Sequence, residues 1–336
     1  MPIRLTTFAL CALTSCAHAQ PDDYGIDFVT ISAPGNVGYN RFDPNNYATG
    51  RGSVDYEYRI GRLEITTQQW LGFVNAMLTS GEINDQFFAV PFYWGAEVDP
   101  NYNGPGQKFR LQSENPNAGM LPVQSIDWYS AAYFCNWLHN GQPDSFADIK
   151  SGAYDSSTWR IDSQGQLSIA DPHLPDAKYW IPTFDEWQKA AYYDPEKDGD
   201  GGWWHYPNSS DTLQIPGIPG LGETSAGLDI GAGAAFEIPL GSYPDQQSPW
   251  GLLDVSGGAS EWTEDYLRPN LTTFRVIGGS RAGSQFYAEY DPAWGADVSR
   301  PTVFSAGFRI ASSVPTPSTA LTLALPTAFL ARRRRI

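Results

Sequence analysis

The chain has 336 residues, with 37 acidic and 21 basic side chains and a formal net charge of −16. That length leaves room for one large hydrophobic core, and so acidic a surface repels phosphate backbones, which argues against nucleic-acid binding. The 33 glycines, 26 prolines and 12 tryptophans predict many turns around aromatic packing and few long helices.

The first predicted element is a signal peptide at residues 1–19. Arg4 gives a positively charged start, Leu5 to Leu13 is a short apolar run, and Ala17-His18-Ala19 is typical of a cleavage site. We therefore expect the protein to be exported, to the cell envelope, the cell surface or the extracellular space.

A second interpretation of the same region is open. Leu13-Thr14-Ser15-Cys16 resembles a bacterial lipobox, which would leave an acylated Cys16 in place of ordinary cleavage after Ala19. With ordinary cleavage, Cys135 is the only cysteine of the body, so an intramolecular disulfide cannot form.

Three helices are predicted from cap patterns and helical spacing. Thr66 with Gln69 and Thr183 with Glu186 form capping boxes, and Asp127 begins the second helix. Apolar stripes follow at Trp70, Phe73, Val74 and Met77, at Trp128, Ala131, Ala132, Cys135 and Leu138, and at Trp187 and Ala191. These residues are expected to be core residues rather than ligand contacts.

Between and after the helices lie Gly- and Pro-rich loops and short strands, such as Phe274–Ile277 and Phe308–Ile310. Helices and strands do not alternate regularly, which argues against a doubly wound sheet. The sequence predicts one irregular, loop-rich α+β domain.

An acidic turn follows the third helix. Asp194 to Gly201 is similar to the first half of an EF-hand loop, but the twelfth position is His205 where a bidentate glutamate is required, and Pro195 lies inside the loop. An acidic surface turn is the favoured interpretation, with metal binding as the alternative.

Three aromatic residues come directly after this turn. Trp203, Trp204 and Tyr206 could form an exposed stacking platform for sugars, and a buried aromatic cluster is the other interpretation.

The segment from Asp254 to Trp262 is the predicted site. Asp254 and Glu261 bracket a glycine-rich turn whose carbonyl groups can point inward, and calcium prefers such mixed carboxylate and carbonyl oxygens. The predicted calcium ligands are Asp254, Ser256, Gly258 and Glu261. The structural alternative is that the carboxylates accept hydrogen bonds from turn amides.

The carboxyl-terminal segment 313–336 combines a Pro-Thr-Pro-Ser motif, an apolar run from Thr319 to Ala331 and the cluster Arg332 to Arg335. The run is shorter than the ~20 residues of a membrane-spanning helix. This arrangement resembles the PEP-CTERM sorting tail, which implies exosortase-type machinery as a partner. A simple membrane anchor is the alternative, and the tail would be the only membrane contact.

Several short motifs occur in one order along the chain, namely Ile60–Thr66, Pro122–Trp128, Ile181–Trp187, Gly251–Trp262, Gly278–Ser280 and Gly307–Arg309. This order resembles the sulfatase-modifying-factor family, whose founding members are formylglycine-generating enzymes. The resemblance implies a variant of the C-type-lectin-like fold for residues 20–312. It also implies a structural calcium at the Asp254 and Glu261 positions.

The family reaction uses a copper ion held by two cysteines, which follow the Gly-Gly-Ser motif by three and eight residues. Those positions are Gly283 and Ala288 in this chain. Neither side chain can bind a metal, so we expect no copper site and no formylglycine-generating activity. The relatives that use iron carry a His-rich ligand set. Here the body has His139, His173 and His205, widely separated.

Three functions remain open at this stage. The chain could be a non-catalytic module that binds an unidentified protein, a glycan or an envelope polymer. It could also be a family oxidoreductase with a non-cysteine metal site, or a structural surface protein held by its tail. The resemblance in fold cannot choose among them, because function depends on the site.

Overall fold

The computed structural model describes residues 22–41, 48–81, 90–104, 106–161, 167–169, 171–266, 274–283, 294–297 and 306–314. The predicted signal peptide and Ala288 lie outside these residues, as does the predicted tail beyond Val314. Asp22 to Val314 forms one compact unit. Within the described part, no helix is long and apolar enough to cross a bilayer.

The three predicted helices are confirmed, with their caps. Helix α1 (Thr67–Thr79) and helix α3 (Phe184–Tyr192) both begin with capping boxes, at Thr66 and at Thr183. Helix α2 (Trp128–His139) begins at the N-cap Asp127, whose side chain accepts from the Ser130 amide at 2.6 Å. A short helical turn, α4, spans Ala232–Ala235.

The strands of the described residues form two four-stranded sheets and three short hairpins. In chain order, the strands are β1 (Phe28–Ile31), β2 (Tyr58–Gly61), β3 (Ala96–Val98), β4 (Phe109–Leu111), β5 (Arg160–Ile161), β6 (Leu167–Ile169), β7 (Tyr179–Trp180), β8 (Tyr193–Asp194), β9 (Gly202–Trp203), β10 (Ser260–Tyr266), β11 (Phe274–Gly278), β12 (Trp294–Asp297), β13 (Ala306–Gly307) and β14 (Ala311–Ser313). The first sheet has the order β1-β2-β14-β7 and the second the order β12-β11-β10-β13. The predicted strand at Phe274–Ile277 is confirmed by β11.

The predicted strand at Phe308–Ile310 is wrong. These three residues form the connection between the two sheets, because β13 pairs with β10 in the second sheet and β14 pairs with β2 and β7 in the first. Their backbone still forms hydrogen bonds with the segment at the end of β2. The Phe308 carbonyl accepts from the Ile65 amide, and the Ile310 carbonyl accepts from the Gly61 amide. All three side chains are buried, including Arg309, which is paired as described below.

The core is aromatic, as the composition indicates. The side chains of Trp70, Trp128 and Trp187 are fully buried, which confirms that they are core residues. Trp70 stacks on Phe134 at 5.6 Å between ring centroids, so α1 and α2 share one hydrophobic core. Cys135 is also buried in this core, as predicted. The architecture is irregular α+β, which confirms the predicted fold class.

Candidate functional site

The turn that precedes β10 is shaped by close contacts with two other segments. Gly257 and Gly258 have φ values of +117° and +56°. A side chain at Gly257 would lie 2.7 Å from the Ser225 Oγ, and one at Gly258 would overlap the Glu64 carboxylate. Only glycine fits at these two positions, because both the space and the backbone conformation exclude larger residues.

At the end of this turn, Glu261 forms a buried ion pair with Arg309. The Arg309 Nε donates to both carboxylate oxygens of Glu261, at 2.8 and 2.9 Å, and neither side chain is exposed. The Trp187 indole also donates to Glu261 Oε2, at 2.8 Å. The remaining N–H groups of Arg309 donate to the backbone carbonyls of Gly61, Arg62 and Leu253. The guanidinium thus ties β2, the 253–254 turn and β10 together.

A second buried carboxylate, Glu64, lies beside this pair. Both of its oxygens accept from the Ala259 amide at 3.0 Å. Burial raises the pKa of Glu64 well above its ordinary value, and the charge of Glu261 adds to this effect, while Arg309 acts in the opposite direction. Burial therefore favours the protonated form of Glu64 over the charged one.

The third carboxylate is Asp254, the first of the predicted calcium ligands. It has a positive φ of 55°, and its Oδ2 accepts from the Gly241 amide at 2.6 Å. Burial raises the pKa of Asp254 to about 6, although the Gly241 hydrogen bond and Arg309 oppose the shift. We call Glu64, Asp254, Glu261 and Arg309 the buried charge cluster.

The predicted calcium ligands do not fit a cation in this arrangement. Glu261 faces the guanidinium of Arg309, which supplies the positive charge that a calcium ion would bring. The carbonyl of Ser256 accepts from Thr224 Oγ1 at 2.6 Å, and that of Gly258 accepts from the Ala282 amide at 2.9 Å. In the described residues, no three His, Cys, Asp or Glu side chains come together as a metal site. Calcium binding at Asp254, Ser256, Gly258 and Glu261 stays a prediction from the sequence.

One hydroxyl of this turn is left without a hydrogen bond. The Ser256 hydroxyl is buried and has no partner within the described part of the chain. It borders a small cavity of about 10 Å³, which Asp254 and Tyr243 also line. That space is about the least that admits one water molecule, which could satisfy the hydroxyl.

Gly283 stands at the first of the two positions where the resembling enzymes carry a copper-binding cysteine. Gly283 has a φ of +73°, and its amide donates to the Ser225 carbonyl at 2.9 Å. The position therefore supplies no side chain for a metal. Burial raises the pKa of Cys135 well above that of an exposed thiol, with the charge of Glu264 adding to it. Cys135 is consequently a protonated core thiol.

The structure brings together a His–carboxylate pair that sequence reasoning missed. His173 Nδ1 lies 3.0 Å from both oxygens of Glu264, and the His173 ring stacks on Trp180 at 4.8 Å. Burial lowers the pKa of His173, but the hydrogen bond and charge of Glu264 outweigh it, so the net pKa is raised. The two residues are 91 positions apart, and no local pattern links them.

The acidic turn after α3 also forms hydrogen bonds within the chain. The oxygens of Asp194 accept from the Glu196 amide and from the Trp204 indole. This agrees with the favoured interpretation of a surface turn. The exposed stacking platform is wrong, because Trp203 and Tyr206 are 2% and 6% exposed and belong to the protein interior.

Comparison with known proteins places this geometry in context. A family model described as "Sulfatase-modifying factor enzyme 1-like domain" matches residues 20–314. Hercynine oxygenase of Mycolicibacterium smegmatis is 24% identical over 224 residues, which are 63% of this chain and 38% of that protein. The chain thus spans well under half the length of this curated relative.

Two solved structures match most of this chain. CarF has a TM-score of 0.51 and 19% identity, covering 87% of this chain and 99% of CarF. PvdO from Pseudomonas aeruginosa has a TM-score of 0.47 and 14% identity, covering 88% of this chain and 97% of PvdO. At such identities the likeness to CarF concerns the fold, and it agrees with the fold predicted from the motif order.

Proposed function

Because the chain belongs to the sulfatase-modifying factor enzyme 1-like domain family, we propose that it is a member of that family without copper-dependent oxidase activity. Its role is that of an exported binding or structural module. The observation that carries the proposal is Gly283, which offers only a backbone amide, bonded to Ser225, where the resembling enzymes hold copper with a cysteine.

The chemistry of the remaining thiol supports this proposal. Copper(I) is held by soft thiolate ligands, and two are needed to hold it firmly while a substrate sulfur binds. Cys135 is a single thiol, fully buried on α2 and with a raised pKa, so it is not available as a thiolate ligand. The second family position, Ala288, lacks a ligand atom by its identity alone.

The test is an oxidase assay. Purified protein is incubated with copper and a peptide that contains Cys-x-Pro-x-Arg, and the aldehyde product is sought by mass spectrometry, with an active formylglycine-generating enzyme as positive control. We expect no product above the level without enzyme. Copper-dependent turnover would overturn the proposal.

The alternative function is that of an oxidoreductase with a non-cysteine metal site. The match to hercynine oxygenase favours it. His173 with Glu264 is the described pair that could contribute to such a site, but in this structure Glu264 accepts from both the ring and the backbone amide of His173. Metal analysis of the purified protein, with His173→Gln as the matched variant, distinguishes this alternative: a stoichiometric transition metal lost in the variant would support it.

Export and sorting complete the proposal. The signal segment at 1–19 and the tail at 313–336 would place the domain in the cell envelope, with exosortase-type machinery as the processing partner. The binding partner would be a protein, a glycan or an envelope polymer. The acidic net charge of the chain disfavours anionic polymers among these.

A further inference from the structure

The residues from Ala306 to Ser313 join the two four-stranded sheets of the described structure. Strand β13 pairs in parallel with β10 in the second sheet, and β14 lies between β2 and β7 in the first. Every residue of this stretch except Ser313 is buried. We call Ala306–Ser313 the connecting segment. It comes last among the described elements of the chain, although it occupies a central place in the fold.

The connecting segment supplies a side chain to the middle of the aromatic core. Phe308 is fully buried, and its ring centroid lies 5.9 Å from that of Trp70 and 5.6 Å from that of Phe134. Those two rings belong to α1 and α2. Without Phe308 the two helices would border an empty space the size of a phenyl ring, and such a cavity is costly because its surroundings collapse only in part.

The connecting segment also supplies the positive charge of the buried charge cluster. Arg309 is bonded to both carboxylate oxygens of Glu261, and its charge also favours the ionised form of Glu64. Both carboxylates belong to other parts of the chain, and both are buried. Without Arg309, Glu261 would be a buried charge with no partner, which is strongly unfavourable. The rest of the domain therefore cannot close around Glu261 until this segment arrives.

The partners of the connecting segment lie far away along the chain. The Phe308 carbonyl accepts from the Ile65 amide at 2.9 Å, and the Arg309 guanidinium donates to the Gly61 carbonyl at 3.2 Å. Arg309 and Gly61 are 248 positions apart. Contacts across such separations form slowly, because closing the intervening loop costs entropy before any contact is made. The connecting segment is therefore expected to dock late in folding.

Gly307 lets the connecting segment pass between two other parts of the chain. A Cβ at this position would lie 2.6 Å from the Val123 carbonyl oxygen and 3.0 Å from the Ala259 Cβ. Close packing leaves no room for such an overlap with backbone. A side chain at position 307 would therefore keep the segment from docking, while Phe308 and Arg309 stay in the chain.

We propose that the connecting segment is a folding lock. The rest of the domain stays open, with its aromatic core and Glu261 in contact with water, until the segment docks between the two sheets. Docking then supplies Phe308 to the core and Arg309 to Glu261 in one step, so that the domain closes cooperatively.

The lock has a consequence for export, which rests on the proposed function. The amino-terminal part of a chain generally folds first during synthesis. Here the elements that are made first cannot complete a core by themselves, so the chain stays open until residues 306–313 have been made. An open chain can be threaded through a narrow channel in a membrane, whereas a closed domain of this size cannot.

The experiment compares full-length wild type with full-length Gly307→Leu, in which the added side chain keeps the segment from docking. Gly72→Leu is the matched control, because it places the same side chain on the exposed side of α1, where a Cβ makes only an ordinary contact. Thermal unfolding is followed by circular dichroism and tryptophan fluorescence, and the dye ANS reports an exposed core. Two synthetic peptides of residues 306–314, one native and one with Arg309→Met, are then titrated into Gly307→Leu.

We expect Gly72→Leu to melt cooperatively like wild type, and Gly307→Leu to bind ANS and to lack a cooperative transition. The native peptide should restore a cooperative transition whose melting temperature rises with peptide concentration, because the peptide binds only the closed domain. The Arg309→Met peptide should need at least about tenfold more to do so, since it brings no charge for Glu261.

A Gly307→Leu chain that melts cooperatively without peptide would overturn the inference. The same holds for a native peptide that restores no transition, and for an Arg309→Met peptide that acts as well as the native one.

These outcomes are independent of the tests of the proposed function. A Gly307→Leu chain that folds by itself contradicts the lock and leaves the non-catalytic, exported role standing. Turnover of the cysteine peptide, or a cytoplasmic product in cell fractionation, contradicts the proposed function and leaves the lock standing.

Discussion

Replacing Asp254 by asparagine removes a charge from the buried charge cluster, and we expect it to stabilise the protein at neutral pH. Burial raises the pKa of Asp254 to about 6 from 3.8, against the Gly241 hydrogen bond and the charge of Arg309. The folded state therefore binds a proton near pH 6, whereas the unfolded chain binds it only near pH 4.

The sign and size of the effect follow from this difference. Because the folded-state pKa is the higher one, the free energy of unfolding of the wild type falls as pH rises from about 4 to about 6. A shift of about two units corresponds to roughly 3 kcal/mol above that range. An amide oxygen accepts from the Gly241 amide less strongly than a carboxylate does, so we expect a net gain of about 1–2 kcal/mol for Asp254→Asn.

The assay is urea unfolding of wild type and variant at pH 5, 6, 7 and 8, with the exposed Asp229→Asn as control. The gain for Asp254→Asn should grow from pH 5 to pH 7 and then stay constant, while the control stays within about 0.5 kcal/mol of wild type. A loss of stability at pH 8 would refute the reasoning. If added calcium also stabilised the wild type and chelator reversed it, the calcium prediction would hold instead.

Three further predictions concern the cluster and the chain ends. Gly258→Ala should lower the free energy of unfolding by about 2 kcal/mol or more, because the added Cβ meets the Glu64 carboxylate. The control is Gly220→Ala, where φ is +84° and the space is open, and it should lose less stability in the same unfolding assay. Arg309→Met should lower the free energy of unfolding by about 3–5 kcal/mol, because it leaves the Glu261 carboxylate buried and uncompensated. Adding Glu261→Gln should recover part of this loss. A double variant less stable than Arg309→Met would contradict the ion-pair account. Amino-terminal sequencing and cell fractionation should find a mature chain that begins near Gln20 at the envelope, and a full-length cytoplasmic product would contradict the predicted sorting.

The sequence was sufficient for features that depend on neighbouring residues. The capping boxes at Thr66 and Thr183 need only a three-residue spacing, and both are present. The helical stripes on α1, α2 and α3 likewise follow from a period of 3.6 residues. Such local rules also explain why the irregular α+β class could be predicted.

Contacts between distant residues could not be predicted in this way. Glu261 and Arg309 are 48 positions apart, and Glu64 and Ala259 are 195 apart. A usable signal existed in the Gly-Phe-Arg motif, where an arginine stands between residues that are otherwise apolar. A buried arginine demands a carboxylate and several carbonyl acceptors, but which ones it finds depends on how the two sheets come together.

The short motifs by which the chain resembles the family serve mainly to hold the fold together. Trp187, Glu261 and Arg309 belong to different motifs, and in the structure they form one hydrogen-bonded unit in the interior. Any chain that folds this way can use that unit, whether or not it catalyses a reaction. Gly283, where the resembling enzymes carry a copper-binding cysteine, makes no hydrogen bond to this unit in the described residues; its amide donates to Ser225 instead. A match to the family model therefore establishes the fold, while the activity of each member has to be read from the few side chains that face its site.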